Sequence, residues 1–269
     1  MDLELLGRID AYLDAVPRAS ARTEIIGPFT LFVTKGPGWP YYARPTPHAD
    51  ATTARDIERV RARQRELGVP ESFEWIVDLA PGVGPAAAAA GLEVVEHPLM
   101  RLALGTFRPA PSPPGTSVEL AAATADLERL HAVSMLAFST PGTGIEPIGH
   151  DDVERATAEV DTAIVASVRE RMTRGLTVTA VASAEGRPVA VGSHNPMGDA
   201  TEIVGVGTLP AFRRRGLGAA VTSELVRDAT RSGISTVLLS AGDEAIARVY
   251  ARLGFERVGT AGAAEPPVA

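Results

Sequence analysis

Apolar residues in the first sixteen positions fall at Leu3, Leu6, Ile9 and Leu13, one face of a helix that Pro17 ends. The period then shortens. Ile25 to Val33 is a strand-like run interrupted at Gly27-Pro28, and Lys35-Gly36-Pro37-Gly38 is a turn before a second, short strand expected from Trp39 to Ala43. ARDIERVRARQREL, Ala54 to Leu67, keeps only Ile57, Val60 and Leu67 apolar among its charges, which predicts a largely wet helix closed by Gly68. FEWIVDL (Phe73 to Leu79) is a strand, and Pro85 to Ala90 is a short helix. Leu92 to Val95 and Leu99 to Leu104 are two further strands on either side of His97-Pro98.

Residues 108–116, RPAPSPPGT, break this pattern: four prolines and a glycine in nine residues favour an extended linker over a helix or central strand. The expected division is therefore 1–107, a linker at 108–116, and 117–269. In the second part Val118 to Ala121 is a short strand and ADLERLHAVSMLAF (Ala125 to Phe138) an amphipathic helix. STPGTGIEPIG follows as a loop of the kind that lines a site. Asp151 is expected to cap one long helix from Asp152 to about Arg174, which Gly175 stops. Leu176 to Ser183 and Pro188 to His194 flank the hairpin turn Glu185-Gly186. The remainder reads as strand Glu202 to Thr208, helix Gly216 to Arg231, strand Thr236 to Leu239, helix Asp243 to Leu253 and strand Phe255 to Val258.

Within this order the stretch TEIVGVGTLPAFRRRGLGAAV, Thr201 to Val221, carries the most chemistry. A β-branched strand passes through Pro210 into Arg213, Arg214 and Arg215, and then into Gly216, Leu217, Gly218 and Ala219 at the start of a helix. A helix N-terminus offers unpaired N–H groups and a partial positive charge. Glycine there lets an anion approach the backbone closely.

Composition narrows the partner. The chain has 269 residues, 45% hydrophobic and 22% charged, with a net charge of −7. That length suits about two domains, and that charge disfavours a general polyanion or nucleic-acid binder. The arginine cluster is then a local site for one small anion, or else simply a solvated basic loop. With no cysteine there is no disulfide framework, thiolate nucleophile or cysteine metal site, and the five histidines lack the spacing of a helical zinc pair. No apolar run approaches a membrane span, and the acidic start MDLELLGRID has no signal-peptide pattern. A metal-free cytoplasmic protein is the expectation.

The order βαα–βββ–α–β–α–β, with VGTLPAFRRRGLGAA in its middle and DEAIARVYARLGF near its end, resembles the GNAT acetyltransferase superfamily. The family loop pattern (Arg/Gln)-x-x-Gly-x-(Gly/Ala) is met by Arg213, Gly216 and Gly218, and Tyr250-x-x-x-Gly254-Phe255 follows downstream. The resemblance covers roughly 117 to 259. It implies an α+β fold, a mixed central sheet flanked by helices. The first half gives a fainter echo, Ala89-Ala90-Gly91-Leu92 beside Arg252-Leu253-Gly254-Phe255, without a counterpart of the arginine-glycine loop. It is either a degenerate GNAT-like half, making the chain a tandem, or an unrelated α+β cap.

The resemblance further implies acetyl-CoA, or another acyl-CoA, as cosubstrate, and a small-molecule or peptide amine as acceptor. The backbone of Arg214 to Ala219 would hold the pyrophosphate, each N–H bond to a charged phosphate being worth about 1.5–3 kcal/mol. Val206, Gly207 and Thr208 would pair with the pantetheine arm, Gly207 suiting a bulge or a close approach. Tyr250 matches the family tyrosine beside the CoA sulfur and is the expected general acid, its alternative role being a core tyrosine. Glu202 is either the general base or a solvent-facing strand residue. Asp243 stands where relatives often have Asn, and Ser240 is a substitute donor contact. Direct transfer to a primary amine in a ternary complex is one functional reading, and a non-catalytic acyl-CoA sensor is the other. No nucleic acid or membrane partner is expected, and a homodimer is one possible assembly.

Overall fold

The computed structural model describes residues 2–38, 41–47, 52–140 and 142–267. His48 and the start of the short strand expected at Trp39 lie outside these residues. The chain folds as two compact units. One comprises Met1–Met100, Ser240–Ala247 and Arg257–Ala269, and the other comprises Arg101–Leu239 and Arg248–Glu256.

In the first unit, helix α1 (Leu3–Arg18) buries Leu6, Ile9, Tyr12 and Leu13 and runs one residue past Pro17, while Leu3, expected on the same face, is exposed. The Gly27-Pro28 interruption is a turn, with Gly27 at φ +56. It folds the first apolar run into an antiparallel pair, β1 (Ala21–Ile26) and β2 (Phe29–Thr34), rather than one strand. After β3 (Ala43–Pro45) comes α2 (Ala54–Leu67), closed by Gly68 in the left-handed conformation. Then follow β4 (Phe73–Ile76), α3 (Val83–Ala89) and β5 (Glu93–Ala103). The two strands expected around His97-Pro98 are this single strand β5. The core gathers Phe29, Leu31, Ile57, Val60, Phe73 and Trp75, with Phe29 and Phe73 edge to face at 5.5 Å. Arg44, also buried, donates to Asp10 at 2.7 Å, and burial raises the nearby Glu74 carboxyl to about 7.

In the second unit β6 (Thr116–Leu120) leads to α4 (Leu127–Phe138), and then to α5 (His150–Thr157) and α6 (Thr162–Thr173). The long helix expected from Asp152 is therefore two. The Asp161 carboxylate accepts from the Ala163 N–H at 2.8 Å, and this cap starts a new helix where no proline or glycine announces a break. It is Asp152, not Asp151, that reaches back to the Gly149 N–H at the start of α5, at 2.8 Å. Strands β7 (Val178–Ala184), β8 (Arg187–Met197) and β9 (Ala200–Thr208) form an antiparallel meander. Helix α7 (Leu217–Arg231), β10 (Thr236–Ser240), α8 (Glu244–Arg252) and β11 (Phe255–Glu265) complete the chain.

The sheet order is β1-β2-β3-β4-β11-β5 in the first unit and β10-β9-β8-β7-β6 in the second. Among the pairs whose register is described, β3 with β4 and β9 with β10 are parallel. The chain's last strand runs to Glu265 rather than stopping at Val258, and it lies antiparallel to β4 from Ala261↔Ile76 to Ala264↔Phe73. Its small residues conceal it from a propensity reading. They are what its place demands: a Cβ on Gly262 would lie 2.4 Å from the Trp75 ring.

Candidate active site

Strands β9 and β10 pair from Ala200↔Thr236 only as far as Glu202↔Leu238. Beyond Glu202, β9 continues to Thr208 with its other edge still held by β8. The strand also carries a bulge: its register against β8 shifts between Val191 and Ser193, opposite Gly205, which stands at φ +60. That conformation favours glycine, and a bulge increases local twist and re-aims the strand. Of the two glycines in VGVG, Gly205 makes the bulge and Gly207 makes the close approach. A Cβ on Gly207 would meet Ala137 at 2.7 Å and the Phe138 ring at 3.1 Å, at the end of α4. The next side chains in either direction face away from α4, toward α7. A Cβ at Gly218 would lie 3.7 Å from Val206 and 3.9 Å from the Thr208 hydroxyl. Val206, Gly207, Thr208 and the first turn of α7 are thus brought together.

That first turn is open. Gly216 is its N-cap at φ +85, with no side chain closing the helix and no acidic residue in the first turn. The side chains of Leu217 and Ala220 are buried, so the turn presents backbone rather than side chains. Arg214 also adopts the left-handed region, at φ +62. Alternating backbone hands before a helix start direct N–H groups into one concavity, the arrangement that cradles phosphates.

The three arginines separate. Arg213 is buried, and its guanidinium donates to the carbonyls of Ala137 (2.8 Å), Thr140 (2.9 Å), Gly144 (3.0 Å) and Thr208 (3.4 Å). It therefore ties the end of α4 and the following loop to the end of β9. Arg215 lies over the Phe212 ring at 4.9 Å and donates to the Ala211 carbonyl. Arg214 is exposed. Beside them a cavity of about 500 Å³ is walled by Pro113, Pro114, Glu185, Phe212, Arg215 and Leu217. The proline-rich segment expected as an extended linker lies against α7 here, its Ala110 N–H donating to the Ser223 hydroxyl at 2.9 Å.

Tyr250 is half-buried on α8, its ring edge-on to Phe255 at 5.8 Å, and burial pushes its phenol up to about 12. The turn after it is fixed by Gly254 at φ +102, where a Cβ would lie 2.2 Å from the Thr106 carbonyl. Glu202 occupies the last position of β9 that pairs with β10, where the two parallel strands part. Ser240 is exposed at the end of β10, and the Asp243 carboxylate accepts from the Ile246 N–H at 2.7 Å, so it caps α8. Both fall in the first compact unit. Among residues not singled out from the sequence, Gly205, Thr106 and Phe212 shape this region, and Gly205 alone had a signal, a glycine inside a β-branched run.

The corresponding helix of the first unit offers a contrast. Helix α2 also follows the first of two parallel strands, but its N-terminus is closed by Thr53 and Asp56, each accepting from the other's backbone N–H. An aspartate in the first turn fills the position an incoming anion would take. Among the described residues no group of three or more His, Asp or Glu is placed to hold a metal ion, and no helix is long and apolar enough to cross a membrane.

Residues 148–255 match the model of the acetyltransferase (GNAT) family. No curated protein matches the sequence. A GCN5-related N-acetyltransferase from Kribbella flavida has a similar structure, with TM-score 0.70, 22% identity, and 97% of this chain and 95% of that one covered. A functionally unknown conserved protein from Staphylococcus epidermidis superposes with TM-score 0.57 at 13% identity, covering 92% and 95%. A tandem GNAT protein from the clavulanic acid biosynthesis pathway does so with TM-score 0.54 at 17% identity, covering 90% and 79%. Residues 148–255 are thus similar to the GNAT acetyltransferase family, and the chain has the mixed α/β fold of the two GNAT structures named here.

Proposed function

We propose that the protein is an N-acetyltransferase that passes an acetyl group from acetyl-CoA directly to a primary amine held in the same complex. The observation that carries this reading is the open edge of β9 beyond Glu202, running alongside an α7 N-terminus with no cap of its own. A strand edge and an uncapped helix start side by side suit a ligand with an amide-bearing arm and a diphosphate. Acetyl-CoA supplies both, together with an activated thioester. In this reading Arg214 to Ala219 hold the diphosphate through main-chain N–H groups, and Val206 to Thr208 orient the arm. A main-chain donor on that strand would stabilise the oxyanion that develops at the thioester carbonyl, the kind of preorganised contact that lowers a barrier most. Tyr250 gives a proton to the departing thiolate. A phenol held at about 12 stays protonated at neutral pH and is able to donate. Glu202 takes the proton from the attacking amine. Arg213 keeps the loop beside β9 in place through its four carbonyl bonds.

Titration with acetyl-CoA, followed by a thiol-release assay with DTNB across a panel of amines, tests the proposal. Saturable binding and amine-dependent release of CoA are expected. Tyr250→Phe is expected to lower kcat by about 10²-fold while leaving acetyl-CoA affinity unchanged. Binding without release for any amine would make the protein an acyl-CoA sensor. Failure to bind acetyl-CoA would overturn both readings.

A further inference from the structure

The first unit contains an open cavity of about 710 Å³ that this chemistry does not use. It lies where β3 and β4 part, two parallel strands paired only at Ala43↔Phe73. Pro45 at the end of one strand with Thr46 after it, and Ile76 at the end of the other with Leu79 after it, contribute to its walls. The carboxyl ends of diverging parallel strands are a general location for ligand sites. Leu3, Gly7 and Asp10 of α1 form the facing wall, one stripe of that helix. Gly7 sits inside the helix, where glycine is unfavourable, and a Cβ there would meet nothing within 4 Å. No close packing requires it.

The chemistry of the walls selects a ligand. Asp10 is the one charged residue among the described lining residues, and the buried Arg44 guanidinium neutralises it at 2.7 Å. Two helix starts border it: that of α2 is closed by Thr53 and Asp56, and in the seven-residue α3 the Val83 N–H is bonded to the Ala80 carbonyl and Pro85 has no N–H to give a phosphate. Trp75 lines the cavity, and its buried indole nitrogen has no hydrogen-bond partner among the described residues. A cavity of this size with mostly apolar walls and few polar groups is typical of small-molecule sites. We propose that it binds an uncharged small molecule with an aliphatic or aromatic body that packs against these apolar walls. The site is separate from the acetyl-CoA site and does not depend on it.

The test uses the full chain and prodan, an uncharged naphthalene ketone that accepts energy from tryptophan. Trp39→Phe leaves Trp75 as the single indole of the two in the chain. Saturable energy transfer from Trp75 to prodan is expected, unaffected by excess acetyl-CoA. Gly7→Leu places a side chain in the cavity and is expected to weaken prodan binding about tenfold or more while the protein melts no lower than its parent. If Gly7→Leu does not fold, Ala11→Phe, one turn along the same wall, is read in its place. Absence of saturable transfer would overturn the proposal, as would transfer unchanged in a folded cavity-filling variant. Displacement of prodan by acetyl-CoA would also overturn it, by making this a second acyl-CoA site.

Discussion

Arg213, Arg214 and Arg215 are adjacent and chemically identical, yet they do three different things. In one dimension they form a uniform basic patch, because nothing in an RRR run tells which side chain turns inward. The backbone decides it: Arg213 is extended, at φ −62 and ψ 162, and points toward the end of α4, whereas the reversal at Arg214 leaves the next two side chains outside. Arg213 satisfies carbonyls that a helix C-terminus leaves unpaired, and its planar fork reaches several at once. A lysine cannot reproduce that geometry. Arg213→Lys is therefore expected to destabilise the protein by about 2–3 kcal/mol. Arg214→Ala, at an exposed position, should change stability by less than about 0.5 kcal/mol. Urea unfolding of the two variants checks this. Equal effects would mean that the carbonyl contacts of Arg213 contribute little.

Helices α2 and α7 have comparable places in their sheets but opposite N-termini. One is sealed by Thr53 and Asp56, the other opens on Gly216. That contrast was legible in the residue types, since a threonine-aspartate cap and a glycine-rich start are both local signals. Less local features were not. The separation of α5 from α6 depends on a single Asp161 cap, and the bulge at Gly205 depends on register with β8. The part played by the α7 start can be isolated from backbone strain by using a second glycine. Gly216 and Gly68 both occupy the left-handed region, at φ +85 and φ +64, and a Cβ at either meets no close neighbour. Valine at either site is expected to cost about 1–3 kcal/mol of stability. Only Gly216→Val should also weaken acetyl-CoA binding, by about tenfold or more, since only it alters a phosphate cradle. Calorimetric titration of both variants separates the effects, and equal affinities would sink the loop assignment.

At the scale of the molecule, sequence order and structural unit do not coincide. Proline-rich residues 108–116 look like the divide, but the compact units part at Met100, and residues 257–269 belong with the first hundred. No composition signal carries that information, because a Gly/Ala-rich tail looks like a frayed terminus until its partner strand is known. Within the first unit the tail has a definite task. It pairs with β4 over Ala261 to Ala264, its Thr260 accepts from Val77 and donates to Asp78, and Gly262 receives the face of Trp75. Removing it would uncover one edge of β4 and the largest aromatic residue of that core, Trp75, and an uncovered edge invites association. A chain ending after Glu256 is expected to lose the cooperative unfolding of its first unit, to show red-shifted Trp75 emission and to aggregate. A chain ending after Glu265 keeps the whole strand and should unfold within about 0.5 kcal/mol of the full protein. Emission spectra and urea titrations in a Trp39→Phe background compare the two. A soluble 1–256 chain with unshifted emission would mean that the first unit closes its core without the last strand.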